Sequence, residues 1–270
     1  MWSAPGEDER PDRGMPSWRP EIRILNNAEE LARAAAEELV NLAREAIRAK
    51  EFFTLALSGG STPRGLYSLL AGDASLRAQL SWEKIHFFWG DERHVPPEHP
   101  DSNYRMAKEV MLSKVPVPPA NVHRIRSEDP DAGKAAGEYE ETLRTFFRLK
   151  IGEMPGFDLI LLGMGPDGHT ASLFPGTQGL REQKRMVMAN WVGRLKDYRI
   201  TMTLPVLNHA ACVLFLVSGE EKAETLRAVL EDEPGRDLLP AQLVRPVSGR
   251  CLWFVDQAAA RFLKTGSSPN

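Results

Sequence analysis

Three short stretches of the chain carry residue types that do chemistry. In GPDGHTASLFP, Asp167 and His169 follow directly on the apolar run FDLILLGM. A neutral imidazole takes a proton from water near pH 7, and a carboxylate two residues away orients the ring or a substrate. The bland alternative is a structural histidine that satisfies loop backbone groups. In LSGGSTP, the segment Ser58, Gly59, Gly60, Ser61 and Thr62 lies between a strand-like run and a helix start, where several backbone N–H groups converge on an anion. Its alternative is a tight glycine turn that binds nothing. In GDERH, the charges of Asp91, Glu92, Arg93 and His94 follow the run IHFFW and suit substrate binding at a strand end, or form a solvated charged turn. Arg199, opening RITMTL, and Lys222, just after VLFLVSG, are cations able to close around a phosphate; surface solubility is the alternative for each.

Several common chemistries are excluded. No Gly-Lys-Ser/Thr follows the glycine loop, so the nucleotide P-loop fails. Gly163, Gly165 and Gly168 have the offsets of a dinucleotide fingerprint, but the intervening Asp167 and the following His169 suit a polar site better. His94 and His99 beside two acids match no strong zinc or calcium spacing, so no metal is expected. His86, His99, His123 and His209 lack a comparable constellation and read as structural or surface residues. Trp82, Trp89, Trp191 and Trp253 lie in or beside apolar stretches and are expected to pack in the core.

The elements that must position these groups alternate between strand and helix. Leu31, Ala35, Leu39, Leu42, Ala46 and Ile47 recur at helical spacing between Asn26 and Lys50, with Asn26 or Asn27 as the cap. Phe52 to Leu57 is a short buried strand, and the glycine loop then feeds a helix with Thr62 as N-cap and Pro63 at its first position. Ile85 to Trp89, Leu159 to Leu162, Ala211 to Val217 and Leu252 to Val255 are further buried strands, with helices at Asn103 to Leu112 and Ala135 to Leu149. This alternation predicts a mostly parallel sheet covered by helices. The Pro-rich breaks Val95 to Pro100 and Val115 to Pro119 are loops. One domain is expected over residues 20–265, between a disordered leader at 1–19 and a frayed tail at 266–270.

Composition sets outer bounds. The 270 residues include 42% hydrophobic and 26% charged side chains, as in an ordinary soluble globular protein. With 34 basic against 37 acidic residues, the net charge of −3 argues against a broad nucleic-acid surface. No apolar run approaches the ~20 residues of a membrane helix. Cys212 and Cys251 lie in apolar runs and read as buried reduced thiols, which with the lack of a signal peptide points to the cytoplasm.

Taken in order, LALSGGSTP, FFWGDERHVP, DSNY, NVHRI, LLGMGPDGHTASLFP, RITMTLP, LVSGEEKAETL and PAQLV resemble the 6-phosphogluconolactonases of the glucosamine-6-phosphate isomerase/6-phosphogluconolactonase family, from about Phe52 to Asp256. The resemblance implies an α/β, single-domain, modified Rossmann-like fold with a mostly parallel sheet and helices on both faces. It implies hydrolysis of 6-phospho-D-glucono-1,5-lactone to 6-phospho-D-gluconate in the oxidative pentose phosphate pathway, with no cofactor. On this basis His169, Asp167 and Arg93 form the expected catalytic set, with Arg93 or backbone N–H groups near Gly165 and Gly168 facing the oxyanion. Ser58, Gly59, Gly60, Ser61, Thr62, Asp91, Glu92, Asn103, Gly165, Gly168, Arg199 and Lys222 form the expected substrate-binding set. The expected partner is a small sugar-phosphate lactone, with neither nucleic acid nor membrane, and the chain is expected to be a monomer or weak homodimer. The competing reading within the family is a glucosamine-6-phosphate deaminase. Those enzymes carry Asp-Glu-Tyr where this chain has Asp91-Glu92-Arg93, and a ring-opening acid where it has SLFP. A non-catalytic sugar-phosphate sensor is the alternative of another class; it would need no general base, and no DNA-binding helix pair or basic arm is evident.

Overall fold

Runs such as FTLAL, LILL and CVLFLV show no polar alternation, so they are stable as strands only where both sheet faces are covered. The computed structural model describes residues 20–232 and 238–264, and every residue of these three runs is buried. The leader expected at 1–19 and the tail expected at 266–270 lie outside the described residues. In chain order the strands are β1 (Glu21–Leu25), β2 (Phe53–Leu57), β3 (Ile85–Trp89), β4 (Asp91–Arg93), β5 (Leu159–Leu162), β6 (Val187–Val192), β7 (Asp197–Met202), β8 (Cys212–Val217) and β9 (Arg250–Asp256). The helices are α1 (Ala28–Lys50), α2 (Ser61–Gly72), α3 (Ala74–Ala78), α4 (Asn103–Val110), α5 (Ala132–Phe147), α6 (Leu204–Leu207), α7 (Ala223–Glu231) and α8 (Gln257–Ala260).

Six strands form one parallel sheet in the order β1-β9-β8-β5-β2-β3. The chain crosses from β1 to β2 and β3 at the far edge, then returns through β5 and β8 to β9. Right-handed crossovers in opposite directions put α1 and α2 on one face and α5 and α7 on the other. The direction reverses between β2 and β5, which pair directly. In an open parallel sheet the crevice beyond the carboxyl ends of two such strands is where ligands bind. The glycine loop follows β2 and the Asp167–His169 loop follows β5, so both chemical segments meet at this one place.

A second, three-stranded antiparallel sheet in the order β4-β7-β6 stands at that end. Its register pairs Asp91 with Thr201 and Arg93 with Arg199. Sequence patterning assigns the GDERH segment to a loop and misses β6 altogether. A three-residue charged strand has no readable alternation, and its partner lies about a hundred residues away, so only tertiary pairing defines it. The edge strand β1 is likewise unpredicted, because four of its five residues are exposed and no buried stripe marks it.

The core packs the strands against the inner faces of the helices, with Phe215 stacked on Trp253 at 3.8 Å. Cys212 and Cys251 are buried free thiols, and burial pushes both up to about 12. Trp82, Trp89 and Trp253 are core residues, whereas Trp191 is 50% exposed: it sits on an outer face of the small sheet, against Tyr198. Asn27 caps α1 through bonds from the Glu29 and Glu30 N–H groups. The start of α2 differs from expectation. The helix begins at Ser61 with Gly60 as N-cap, so Thr62 and Pro63 fall inside the first turn.

Candidate active site

The glycine loop is built around a buried hydroxyl. Tyr67, one and a half turns into α2, accepts from the Ser58 N–H and donates to the Ser58 carbonyl, each at 2.9 Å. This pins the chain where it leaves β2. Tyr139 of α5 does the same at the end of β3, accepting from the Trp89 N–H at 2.8 Å and donating to its carbonyl at 3.1 Å. Burial raises both phenols above their ordinary value, so they stay neutral hydrogen-bonding hubs. Beyond the clamp, Gly59 passes so close to Asn103 that a Cβ there would meet its Oδ1 at 1.9 Å. Gly60 has φ of 106°, a conformation that favours glycine. No side chain caps α2. Its first N–H groups therefore face the cleft as an uncompensated positive helix end, beside a buried Ser58 Oγ that has no partner among the described residues.

The loop after β5 makes a tight turn around its own histidine. The Gly165 N–H donates to the His169 carbonyl and the Gly168 N–H to the Gly165 carbonyl, both at 2.9 Å. His169 Nδ1 lies 2.5 Å from Asp167 Oδ1. A carboxylate only accepts, so Nδ1 carries the proton and Nε2 is left as the basic nitrogen. A Cβ on Gly165 would come within 2.1 Å of the imidazole, which explains why glycine stands there. Burial alone would raise the Asp167 carboxyl, but the hydrogen bond and charge of His169, together with Arg194, hold it below the usual carboxylate range. Arg194 Nη2 approaches Asp167 Oδ2 at 2.7 Å. The His169 ring stacks on Phe174 with centroids 4.2 Å apart, and the Arg194 guanidinium lies over the same ring at 4.7 Å. From α7, Thr225 donates to the Pro166 carbonyl at 2.6 Å and fixes the outer side of the turn.

The acidic segment divides into two roles. Asp91 is buried on the cleft wall, where Oδ2 accepts from Ser172 at 2.6 Å and its carbonyl accepts from Asn103 Nδ2 at 3.0 Å. Glu92 points away from the cleft. Its carboxylate accepts from the N–H groups of Arg93, Asn103 and Tyr104 and from Ser102 Oγ, so it holds the start of α4. Burial pushes its carboxyl above the ordinary range against the pull of those bonds. Arg93 lines the cleft and donates to the Asp101 carbonyl at 3.0 Å.

Lys222 reaches the cleft from the turn after β8, anchored by a 3.0 Å bond to the Ser218 carbonyl. Asp256 in turn accepts from Ser218 Oγ and the Gly219 N–H, tying that turn to the end of β9. Arg199 is not on the cleft wall; its guanidinium is held by Asp197 at 2.6 Å and by the Tyr198 carbonyl at 3.0 Å.

The cleft thus gathers Ser58, Gly59, Gly60, Ser61 and Thr62, Asp91, Arg93, Asn103, Gly165, His169 and Lys222 on one lining, and leaves Glu92 and Arg199 off it. Asp167 and Gly168 stand behind His169. Sequence reasoning overlooked Tyr67, Ser172, Phe174 and Arg194. SLFP follows the histidine so closely that Ser172 and Phe174 are findable as neighbours, but nothing marks Arg194, which arrives on the β6–β7 turn. Among the described residues, no group of three or more His, Cys, Asp or Glu side chains is placed to hold a metal ion, and no helix is long and apolar enough to cross a membrane.

What this arrangement can do is hold an anion at the α2 terminus beside Lys222, and present a basic imidazole nitrogen across the same cleft. Comparison with known proteins gives consistent results. The family described as glucosamine-6-phosphate isomerases/6-phosphogluconolactonase matches residues 26–253. A 6-phosphogluconolactonase of Synechocystis sp. is 42% identical over 245 residues, covering 91% of this chain and 99% of its own. One of Nostoc sp. is 39% identical over 238 residues, covering 88% and 96% respectively. The solved structure of 6-phosphogluconolactonase from Trypanosoma brucei superposes with a TM-score of 0.81 at 30% identity, over 92% of this chain and 100% of that one.

Proposed function

This chain belongs to the glucosamine-6-phosphate isomerase/6-phosphogluconolactonase family, and from that premise we propose that it hydrolyses 6-phospho-D-glucono-1,5-lactone to 6-phospho-D-gluconate. The observation that carries the reading is the pairing of His169 with Asp167 across one cleft from the uncapped start of α2 and Lys222. A lactone already holds an electrophilic carbonyl, so it needs a fixed position and one activated water.

The 6-phosphate binds the N–H groups of Gly59, Gly60, Ser61 and Thr62, with Ser58 Oγ and Lys222 completing the cradle. Asp91 and Asn103 accept from and donate to sugar hydroxyls. His169 Nε2 takes a proton from water as its oxygen adds to C1. The imidazolium then returns that proton to the ring oxygen as the C1–O5 bond breaks. Asp167 keeps the proton on Nδ1 before the step and faces the imidazolium after it. The oxyanion needs donors. The N–H groups of Gly165 and Gly168 already donate within the turn, whereas the Arg93 guanidinium on the cleft wall has N–H groups to spare beyond its bond to Asp101 and supplies the donor. With Arg199 bound to Asp197, Lys222 is the cation of the phosphate end.

The deaminase reading lacks an acid after the histidine: Ser172 donates to Asp91 and Phe174 stacks on the imidazole. The test generates the phospholactone in situ from glucose 6-phosphate and follows 6-phosphogluconate through a coupled dehydrogenase, with and without protein. A rate proportional to protein above the spontaneous rate is expected. A folded protein that gives no acceleration but releases ammonia from glucosamine 6-phosphate would overturn the reading.

A further inference from the structure

The small antiparallel sheet has no part in the phosphate cradle, yet its β6–β7 turn delivers one side chain to the catalytic pair. That turn is closed by bonds from the Leu195 N–H to the Val192 carbonyl at 2.9 Å and from the Lys196 N–H to the Gly193 carbonyl at 3.2 Å. Arg194 is thus carried on a fixed support. It completes a circuit of four residues: Arg194 on Asp167, Asp167 on His169, His169 against Phe174, and Phe174 under Arg194. An ion pair with a 53% exposed arginine ordinarily contributes little to stability. Here the pair fixes which carboxylate oxygen meets the imidazole, because Arg194 holds Oδ2 and leaves Oδ1 to Nδ1.

We propose that Arg194 is a positioning residue for hydrolysis, acting through Asp167 and Phe174 to keep the His169 ring in one plane with Nε2 unprotonated towards the cleft. The inference rests on the lactonase reading and deepens it. The charged groups around the imidazole are Asp167 and Arg194 behind it, and Asp91, Arg93 and Lys222 on the cleft wall. Asp167 favours the imidazolium and Arg194 opposes it. Removing Arg194 frees Asp167 Oδ2, leaves that carboxylate uncompensated and uncovers the Phe174 ring, so both supports of the imidazole change together.

The test is the pH profile of kcat and kcat/KM, corrected for spontaneous hydrolysis, for Arg194→Gln, Arg194→Lys, Phe174→Leu and His169→Ala. Arg194→Gln is expected to lower kcat by about tenfold at little change in KM, and to move the acid limb of the rate profile to higher pH. Arg194→Lys, which keeps the charge but not the planar contact, should return the acid limb to its original place. Phe174→Leu should lower kcat without moving the limb. Arg194→Gln with the limb and kcat of the parent protein overturns the role of Arg194 while leaving the lactonase reading intact. An undiminished kcat in His169→Ala overturns both. Should Arg194→Gln fail to fold, the Lys and Leu variants still decide: the kcat of the parent protein in both would overturn the proposal.

Discussion

Gly165→Ala isolates the geometry of the His169–Asp167 pair from its proposed chemistry, since it removes no polar group. Gly165 does not have positive φ, so alanine is compatible with its backbone and any effect arises from the new methyl group. That methyl would lie 2.1 Å from both Nδ1 and Cε1 of His169 and 2.8 Å from Asp167 Oδ1. Ordinary contact begins at about 3.4 Å, so the imidazole must retreat by more than 1 Å. It has nowhere to go while keeping its partners. Asp167 holds Nδ1 at 2.5 Å, and the Phe174 ring is stacked 4.2 Å away. A misplacement of about 1 Å costs roughly 10²-fold in rate, and full loss of a positioned base costs about 10² to 10⁴. The expected loss in kcat is therefore about 10²- to 10³-fold, or about 3 to 4 kcal/mol of barrier. KM should move little, because the α2 terminus and Lys222 lie on other elements. The coupled 6-phosphogluconate assay reads both constants, and a melting curve checks that the protein remains folded. A kcat close to that of the parent protein, with an unchanged melting curve, would refute the claim that this glycine makes room for the pair.

The remaining expectations concern single side chains. His169→Ala should lower kcat by about 10² to 10⁴ at nearly constant KM, and Lys222→Ala should mainly raise KM, because the phosphate contact proposed for it would be present in ground and transition states alike; steady-state kinetics separates the two. Tyr67→Phe removes the hydroxyl that serves both Ser58 backbone groups and leaves a buried N–H without a partner, at a cost of about 1 to 3 kcal/mol that denaturant melts will measure. His123 stacks on Phe88 and lies 3.2 Å from His86. Burial, reinforced by the neighbouring His86, depresses its value from 6.5 to about 4. The unfolded chain therefore binds a proton in this window that the folded chain refuses, so stability falls as pH drops from about 6.5 towards about 4. His123→Phe should flatten that part of the stability profile, and an unaltered slope would assign it to other groups.

The alternation of buried strands and amphipathic helices was legible because each local pattern agreed with its final environment. FTLAL, IHFFW and LILL became strands within a residue of their expected limits, and Asn27 capped α1. The glycine loop and the DGH segment were legible for a related reason: glycine, hydroxyl, carboxylate and imidazole are rare companions immediately after buried strands. Other features escaped. The GDERH segment has no internal sign that separates Asp91, on the cleft wall, from Glu92, which faces backwards into the start of α4. Alternation along a three-residue strand places neighbours on opposite sides, and that strand exists only through its pairing with β7. Arg199 and Arg194 show the same divide. Both are single cations in the same hairpin, yet one is bound to Asp197 and the other to Asp167.

Residue types and their order along the chain were enough to specify the parallel sheet, the chemical class of the cleft and its two principal loops, because each depends on local periodicity or on groups a few residues apart. The tertiary structure alone decided which cations line the cleft, that Asp91 rather than Glu92 stands on its wall, and that Arg194 joins the Asp167–His169 pair. Those choices depend on contacts of 2.6 to 4.7 Å between residues well separated in sequence, made beyond the strand ends where the crossover direction switches between β2 and β5.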